Sequence, residues 1–234
     1  MSERPVTVIT GTSRGIGREL AHLYARRGHT VVGCSRSDTA PPAEGWEQHV
    51  VDVTDEPAVR GLFKDVSRKH GRVDHVINNA GIGLMNHAML TPLPAARRVL
   101  DTNVTGTLLV SREAAKVMAG ARFGRIVNFG SVAAPLRLEG EAVYAASKAA
   151  VVTLTEVLAR ELAAFGITVN TVAPSVVRTH LTSQVPRDKI EDLISRQAIG
   201  REATVDDIAN VVDFYLRPES DFLTGQTLYL GGAA

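Results

Sequence analysis

Short runs of β-branched residues alternate with helical stretches along this chain, and that alternation limits the possible folds more than any other feature. We predict strands at residues 6–10, 30–34, 48–51, 73–78, 124–129, 167–172 and 227–230. Between them we predict helices at residues 16–27, 56–70, 94–118, 144–164 and 205–216. Strands that alternate with helices indicate an α/β protein with a parallel sheet covered by helices on both faces.

Length and composition favour an ordinary globular domain. The 234 residues predict a single domain over residues 1–234. Hydrophobic residues make up 44% of the chain and charged residues 22%, with a formal net charge of +1. This balance gives no electrostatic reason to expect nucleic acid or a membrane surface as a partner. The histidines have no metal-ligand spacing, so we expect no metal site.

The cysteine content and the N-terminal residues lead us to expect a cytoplasmic protein. Cys34 is the single cysteine, so no internal disulfide can form. Neither a signal peptide nor a long apolar span is visible in the sequence. The polar segment 179–200 contains Pro186 and interrupts the alternation of strands and helices. We predict that this segment is a substrate lid.

A glycine-rich turn connects the first predicted strand to the first predicted helix. Its spacing is G-x-x-x-G-x-G, which differs from the more familiar G-x-G-x-x-G. Glycines let the chain turn sharply and let a diphosphate approach the backbone amides, and the helix N-terminus adds its positive dipole end. We therefore predict a dinucleotide site with contacts from Gly11, Ser13, Arg14, Gly15, Ile16 and Gly17.

The residues after the second strand indicate which dinucleotide binds. Ser35 and Arg36 stand there, with no carboxylate before Asp38. A free ribose 2′-hydroxyl usually meets an acidic residue at this place, whereas a 2′-phosphate meets arginine. Together with Arg14, this pattern predicts NADP(H) over NAD(H). The alternative is that both arginines are ordinary surface charges.

Two further groups of residues follow predicted strands, at the sheet edge where ligands bind in such folds. Asp52 and Val53 follow the third strand, and we expect the Asp52 carboxylate to accept from the adenine amino group. Asn79, Ala80 and Gly81 follow the fourth strand, and we expect them to contact the cofactor. The alternative for these polar side chains is that they satisfy backbone turns.

Tyr144 and Lys148 are four positions apart on a predicted helix, so their side chains share a face. A lysine ammonium near a phenol favours the phenolate and lowers the phenol pKa, which is normally about 10. A tyrosine tuned in this way can exchange a proton near neutral pH. Ser131 precedes the pair. The alternative is that Tyr144 is a half-buried helix residue and Lys148 a solvated neighbour.

The motifs at 10–17, 78–81 and 144–148, with Ser131 between them, resemble those of the short-chain dehydrogenase/reductase superfamily. The resemblance covers essentially the whole chain. Within the superfamily, the chain is similar to 3-oxoacyl-[acyl-carrier-protein] reductases and to the ketoreductases of secondary metabolism. The resemblance implies a Rossmann-like, doubly wound sheet of seven strands. It also implies a homo-oligomer, a tetramer or a dimer, built through the two long central helices.

The resemblance also implies a role for each matching residue. Tyr144 would protonate the carbonyl oxygen, Ser131 would orient that oxygen, and Lys148 would bind the nicotinamide ribose. Asn103 would hold a water in a proton relay, and Thr179 would contact the nicotinamide carboxamide. The implied cofactor contacts near the nicotinamide also include Pro174 and Val177.

Three departures from the family pattern limit these implications. Ser175 follows Pro174 where the family usually has glycine, and Leu230 stands where Asp or Asn usually precedes the last glycines. Carrier-protein reductases tend to have two arginines for docking the acidic carrier. Arg122 matches one of them, but Phe165 stands in place of the other. The missing second arginine weakens the expectation of a carrier-bound substrate and leaves the ketoreductase chemistry intact.

The leading hypothesis is an NADPH-dependent reductase of a small-molecule ketone, either a 3-oxoacyl group or a polyketide-like or cyclic carbonyl. A second hypothesis is an NADP-dependent alcohol or sugar dehydrogenase, because the same groups serve both directions. A third is a dinucleotide sensor without activity, because a fold does not fix a function. A sensor would not need to keep Ser131, Tyr144, Lys148 and Asn103 together.

Overall fold

The computed structural model describes residues 4–38, 44–178 and 185–232. The strands of these residues are β1 (Val6–Thr10), β2 (Thr30–Ser35), β3 (Trp46–Val50), β4 (His75–Asn78), β5 (Gly124–Phe129), β6 (Ile167–Ala173) and β7 (Thr227–Tyr229). These seven strands form one sheet in which all neighbouring strands run parallel, in the order β3-β2-β1-β4-β5-β6-β7. This sheet confirms the predicted Rossmann-like architecture.

Helices cover both faces of the sheet, because successive strand residues point to opposite sides. The helices are α1 (Gly15–Arg26), α2 (Glu56–His70), α3 (Leu93–Leu100), α4 (Gly106–Ala121), α5 (Ala133–Leu136), α6 (Ala142–Leu162), α7 (Arg187–Ser195) and α8 (Val205–Leu216). Val8 belongs to the core beneath α2, α4 and α6, whereas its neighbour Ile9 belongs to the core beneath α1 and α8.

The long helix predicted at 94–118 is interrupted in the structure. A π-helical turn, Asp101–Thr105, separates α3 from α4. Turns of this kind insert an extra residue into a helix and are frequent at functional sites. Hydrophobic periodicity does not reveal such an insertion, because the residues on either side keep a helical pattern. The prediction of one continuous helix was therefore wrong at this point.

The other boundaries differ from the predictions by a few residues, as is usual at element ends. The segment predicted as a lid contains α7, which was not predicted and has no buried residue. Thr179 and the rest of residues 179–184 lie outside the described residues.

The start of α8 is fixed by a capping box and by a contact with the chain after β6. The Asp207 carboxylate accepts from the Thr204 backbone N–H at 2.7 Å, and the Thr204 hydroxyl accepts from the Asp207 N–H at 3.2 Å. Just before this cap, the Ala203 N–H donates to the Val176 carbonyl at 2.8 Å. The segment beyond β6 is thereby held in place from the α8 side.

The glycine turn between β1 and α1 is held by the loop after β4. Asn79 Nδ2 donates to the carbonyl of Thr10 at 2.9 Å and to that of Gly11 at 3.3 Å, and the Ala80 N–H donates to the Thr10 hydroxyl. Gly11 has φ +75°, a conformation that favours glycine. A Cβ on Gly17 would lie 2.5 Å from the Gly11 carbonyl oxygen and still closer to Asn79 Nδ2. The turn therefore needs glycine at 17 for space.

Helix α6 and the turn that follows it are long and apolar enough to cross a membrane by length and composition alone. Core helices pass the same test. In this structure α6 packs against α5 and β6, and Lys148 and Thr155 are on its buried side.

Two histidines share one hydroxyl at the opposite end of the strands. Thr7 Oγ1 lies 2.8 Å from His29 Nδ1 and 3.1 Å from His75 Nδ1, and the two rings are 5.6 Å apart. Burial, with a further contribution from His29, lowers the pKa of His75 from 6.5 to about 4. Both imidazoles are therefore held neutral at physiological pH.

We expect His75 to make the fold sensitive to acid. The pKa of His75 is lower in the folded state, so between pH 6.5 and pH 4 the unfolded chain binds the proton more readily. The free energy of unfolding therefore decreases as the pH is lowered through this range. At pH 5 this linkage amounts to about 2 kcal/mol. Chemical denaturation at pH 7.5 and pH 5 should show a smaller loss of unfolding free energy for His75→Gln than for wild type. The exposed His87→Gln is the control and should keep the wild-type loss; equal losses in all three proteins would contradict this account.

Gly17→Ala should destabilise the protein by about 1–3 kcal/mol, because the new Cβ meets backbone that cannot move aside. The matched control is Gly61→Ala within α2, where a Cβ meets nothing within 4 Å. That change should stabilise the protein by about 0.5–1 kcal/mol through helix propensity. Denaturant unfolding of both variants measures the difference, and equal shifts would refute the steric argument.

Candidate active site

Four predicted side chains meet at the carboxyl edge of the sheet, which we define as the carboxyl ends of β4, β5 and β6. Ser131 is two residues beyond β5, and Tyr144 and Lys148 are in the first turns of α6. Asn103 lies in the π-helical turn. A Cβ built on Gly81 would lie 3.2 Å from Asn103 Oδ1 and 3.5 Å from Lys148 Nζ. Both side chains therefore reach the loop after β4.

Ser131 lies close enough to the Tyr144 hydroxyl to act on the pKa of the phenol. Ser131 Oγ accepts from the Ala133 backbone N–H at 3.1 Å, which fixes the direction of the serine hydroxyl. Burial raises the pKa of Tyr144 to about 12, Ser131 lowers it in part, and the Glu141 carboxylate raises it further. The phenol is therefore protonated at neutral pH.

Lys148 is buried, with 6% of its surface exposed. Its Nζ donates to the Phe129 carbonyl at 2.8 Å and lies 5.8 Å from the centroid of the Tyr144 ring. Burial lowers the pKa of Lys148 to about 8. The sequence predicted that this ammonium lowers the phenol pKa. In the structure the phenol pKa is raised, with burial as the largest cause, and the side chains that act on it are Ser131 and Glu141. Desolvation of the phenol outweighs its polar contacts.

Asn103 is fully buried and joins three segments. Its Oδ1 accepts from the Ile82 N–H at 2.9 Å, and its Nδ2 donates to the Ile82 carbonyl at 3.0 Å. Nδ2 also donates to Ser147 Oγ at 3.0 Å, and Ser147 donates to the Tyr144 carbonyl at 2.7 Å. The π-helical turn thus connects the loop after β4 to the first turn of α6.

The glycine turn suits a dinucleotide diphosphate. The N-terminus of α1 has no side-chain cap and no acidic residue in its first turn. Its amides and its dipole are therefore open to an anion. Ser13, Gly15 and Ile16 are only partly buried there. The glycine at 17, which the turn needs for space, adds no side chain over the backbone of the turn. These features fit the dinucleotide diphosphate that the sequence predicted.

Arg14 and Arg36 are exposed, and within residues 4–38, 44–178 and 185–232 neither forms an ion pair. Both are therefore free to meet an anionic group. Ser35 differs from them, because it is buried and donates to the Ser37 carbonyl at 2.8 Å while accepting from Gln48 Nε2 at 3.0 Å. Its hydroxyl orders the turn after β2.

The other predicted cofactor contacts have side chains that satisfy backbone turns or pack into the core. Asp52 Oδ1 accepts from the backbone and the hydroxyl of Thr54, at 2.9 and 2.8 Å, which is the alternative turn role. Val53 packs its side chain into the core against Gly106, so it can offer only backbone to a ligand. Asn79 and Ala80 brace the glycine turn.

The segment after β6 lies beside the loop that contains Ser131. The Val132 N–H donates to the Pro174 carbonyl at 3.2 Å. Val177 is buried and pairs in parallel with Ala203. Pro174 therefore lies beside the loop that contains Ser131, whereas Val177 lies beside the residue that precedes the cap of α8, and Thr179 lies beyond the described residues.

Sequence reasoning missed the residues that support these groups. Ser147 and Ile82 hold Asn103, and the carbonyl of Phe129 holds Lys148. Thr12 donates to Gln48 at 2.8 Å and so connects the glycine turn to β3. A backbone carbonyl has no sequence signature, and only the tertiary structure brings Gln48 close to the glycine turn.

Comparisons with known proteins agree with this geometry. A family model described as enoyl-(acyl carrier protein) reductase matches residues 11–232. A 3-oxoacyl-[acyl-carrier-protein] reductase of Vibrio harveyi is 35% identical over 236 residues, covering 98% of this chain and 97% of the relative.

Solved structures give the same assignment. The structure of ElxO with NADP bound has a TM-score of 0.91 and 28% identity, covering 99% of both chains. The ligand-free aldohexose dehydrogenase of Thermoplasma acidophilum has a TM-score of 0.90 and 28% identity, covering 99% of this chain and 94% of that one. With a family match over nearly its whole length, this chain belongs to the short-chain dehydrogenase/reductase family of oxidoreductases.

Proposed function

We propose that this protein is an NADP(H)-dependent reductase that converts a ketone to a secondary alcohol, with Tyr144 as the proton donor. The observation that carries the proposal is the meeting of Ser131, Tyr144, Lys148 and Asn103 beside the loop after β4, which in turn braces the glycine turn. ElxO, which is similar in fold, has NADP bound, and the Vibrio relative is named as a 3-oxoacyl reductase. A dinucleotide sensor would have no need of this arrangement.

The proposed chemistry divides between the cofactor and the protein. Bound NADPH supplies the hydride. The Tyr144 hydroxyl gives its proton to the carbonyl oxygen of the ketone, and the Ser131 hydroxyl hydrogen-bonds to that same oxygen. Lys148, whose Nζ lies 5.8 Å from the centroid of the Tyr144 ring, would bind the ribose of the cofactor. Asn103 keeps the loop after β4 and the first turn of α6 in register through Ile82 and Ser147.

The pKa of Tyr144 suits the proton donor of a reduction, because burial raises it to about 12 and the phenol carries its proton at neutral pH. An alcohol or sugar dehydrogenase would use the same groups in the reverse direction, so this pKa does not choose between the two. The structural likeness to an aldohexose dehydrogenase supports the fold and leaves the direction open.

Two arginines support NADP(H) as the cofactor. Arg14 and Arg36 are exposed near the carboxyl ends of β1 and β2, and no described carboxylate pairs with them. Guanidinium groups suit a 2′-phosphate and give a plain ribose no acceptor. A free ribose would be expected to meet a carboxylate at this place.

The substrate we propose is a ketone with an apolar flank, and a carrier protein is not required to deliver it. The Arg122 guanidinium donates to the Ala164 carbonyl at 3.1 Å, and Phe165, which replaces the second docking arginine, is 44% exposed. The loops that flank Tyr144 are joined by a 2.8 Å bond from the Asn86 N–H to the Gly140 carbonyl. They bear the partly exposed apolar side chains of Leu84, Met85, Leu136 and Leu138. An NADPH-oxidation screen over acetoacetyl thioesters, β-ketoesters, quinones and cyclic ketones identifies the class.

We also propose an oligomeric state, a location and a lid for this protein. We infer a homo-oligomer through α4 and α6, since Leu108 and Val157 on these helices are 38% and 46% exposed. We infer a single cytoplasmic domain whose residues 179–200 cover the substrate. Helix α7 supports the lid assignment, because none of its residues is buried.

Tyr144→Phe should lower kcat by about 10²–10⁴-fold while leaving the Kd for NADPH within about 2-fold, because only the proton donor is lost. Stopped-flow reduction of the best ketone and fluorescence titration of NADPH measure the two quantities. Tyr215→Phe is the matched control, since it removes another buried hydroxyl on α8 without a partner in the described chain, and it should keep wild-type turnover. Wild-type turnover in Tyr144→Phe would rule out the acid assignment.

Arg14→Ala combined with Arg36→Ala should reduce kcat/KM for NADPH by about 10–100-fold and leave that for NADH nearly unchanged, since the loss is of charge-assisted bonds to one phosphate. Steady-state kinetics with both cofactors at a fixed ketone concentration give the ratio. Arg26→Ala, at the other end of α1, is an exposed control with no expected effect. An equal loss with both cofactors would defeat the proposal of phosphate recognition.

A further inference from the structure

The side-chain amide of Gln48, on β3, has every hydrogen-bonding position occupied. Its Oε1 accepts from the Thr12 hydroxyl at 2.8 Å and from Trp46 Nε1 at 3.2 Å. Its Nε2 donates to Ser35 Oγ at 3.0 Å and to the His49 carbonyl at 3.4 Å. An amide oxygen has two lone pairs and an amide nitrogen two hydrogens, so this side chain is held in a single orientation.

Two of these bonds reach different turns, at the carboxyl ends of β1 and β2. Thr12 lies in the glycine turn, and Arg14 follows it by two residues. Ser35 is the last residue of β2, and Arg36 follows it directly. Gln48 therefore joins the turn with Arg14 to the turn with Arg36. These are the two exposed arginines that the proposed function assigns to the 2′-phosphate.

The bond from Gln48 also sets the direction of the Ser35 hydroxyl. Ser35 Oγ accepts from the amide and donates to the Ser37 carbonyl at 2.8 Å, which closes the turn around Arg36. A hydroxyl has a single hydrogen, so a donor on its other side directs that hydrogen to the carbonyl. Loss of the amide would leave the hydroxyl free to rotate and would loosen the turn.

Gly33, on β2, makes room for this cluster of side chains. A Cβ built on Gly33 would lie 2.5 Å from Trp46 Nε1, 2.6 Å from Gln48 Oε1 and 2.8 Å from Thr12 Oγ1. The three polar atoms therefore pack directly over bare backbone. Thr12 and Trp46 are 0% and 5% exposed, so water cannot readily replace the bonds that they give to the amide.

We propose that Gln48 is a positioning residue for cofactor specificity, which holds Arg14 and Arg36 at the spacing that a 2′-phosphate requires. The proposal rests on the proposed NADP(H) function. In this role Gln48 acts through the two turns and not on the cofactor directly. Guanidinium bonds to a phosphate are directional, so a displacement of either turn weakens them. A ribose with a free 2′-hydroxyl makes no use of this spacing, so binding of NAD(H) should not depend on Gln48.

The test removes the amide and compares two nucleotides that differ only in the 2′-phosphate. Gln48→Met keeps the length of the side chain and removes its hydrogen bonds. By isothermal titration calorimetry, this change should raise the Kd for NADP⁺ about 3–10-fold and leave the Kd for NAD⁺ within about 2-fold. In a protein that already has Arg14→Ala and Arg36→Ala, the same change should leave the Kd for NADP⁺ within about 2-fold. A residue with a merely structural role would add its loss to that of the arginines.

Two further variants separate the link between the turns from the rest of the cluster. Ser35→Ala breaks the link from the other side and leaves the bond between Gln48 and Thr12 in place, so it should show the same selective loss for NADP⁺. Trp46→Phe is the matched control, because it removes one bond to the same amide and leaves the bonds to both turns intact. It should bind both nucleotides as wild type does.

Four results would overturn the positioning role of Gln48. They are an unchanged Kd for NADP⁺ in Gln48→Met, an equal loss for both nucleotides, an equal loss in Trp46→Phe, and a loss that adds to that of the arginine variants. A wild-type protein that binds NADP⁺ no more tightly than NAD⁺ would instead overturn the cofactor assignment in the proposed function.

Discussion

One hydrogen bond underlies the geometry of the candidate site: the buried ammonium of Lys148 donates to the carbonyl of Phe129 at 2.8 Å. This bond joins the first turns of α6 to the last residue of β5. Because Ser131 follows Phe129 by two residues and Tyr144 precedes Lys148 by one helical turn, the bond also fixes the distance between serine and tyrosine. A cation buried without a carboxylate partner would otherwise be costly, so the polar carbonyl is what allows the lysine to be there.

A buried polar network continues this attachment deeper into the protein. Asn128 on β5 donates to Thr155 on α6 at 2.8 Å and accepts from Asn78 on β4 at the same distance. Thr171 on β6 shares the Thr155 hydroxyl. Three adjacent strands and the helix with Tyr144 thus meet at one set of hydrogen bonds. Buried hydrogen bonds of this kind rigidify a core, although Asn78 Oδ1 has no partner among the described residues, and rigidity suits a site where small displacements cost rate.

Burial sets the acid–base character of the site more than direct charge pairing does. It raises the pKa of Tyr144 to about 12 and lowers that of Lys148 to about 8. Both shifts follow from the same cause, the loss of water around a group that would be charged. At neutral pH the tyrosine therefore keeps its proton, which agrees with a donor in ketone reduction. A cofactor cation or ribose beside these groups would act on a tyrosine pKa that the protein has already raised and a lysine pKa that it has already lowered.

The sequence by itself determined the sheet and the positions of Ser131, Tyr144 and Lys148, because β-branched runs, the glycine turn and the four-residue spacing depend on local geometry. It also placed Arg14 and Arg36 next to strand ends. Only the tertiary structure decided that α3 and α4 are separated by a π-helical turn around Asn103. The same holds for the hydroxyl of Ser35, which is already hydrogen-bonded to other protein groups. The tertiary structure also decided that the phenol pKa rises instead of falling. These outcomes depend on desolvation and on backbone partners such as Ile82 and Phe129, which are distant in the chain and have no residue signature.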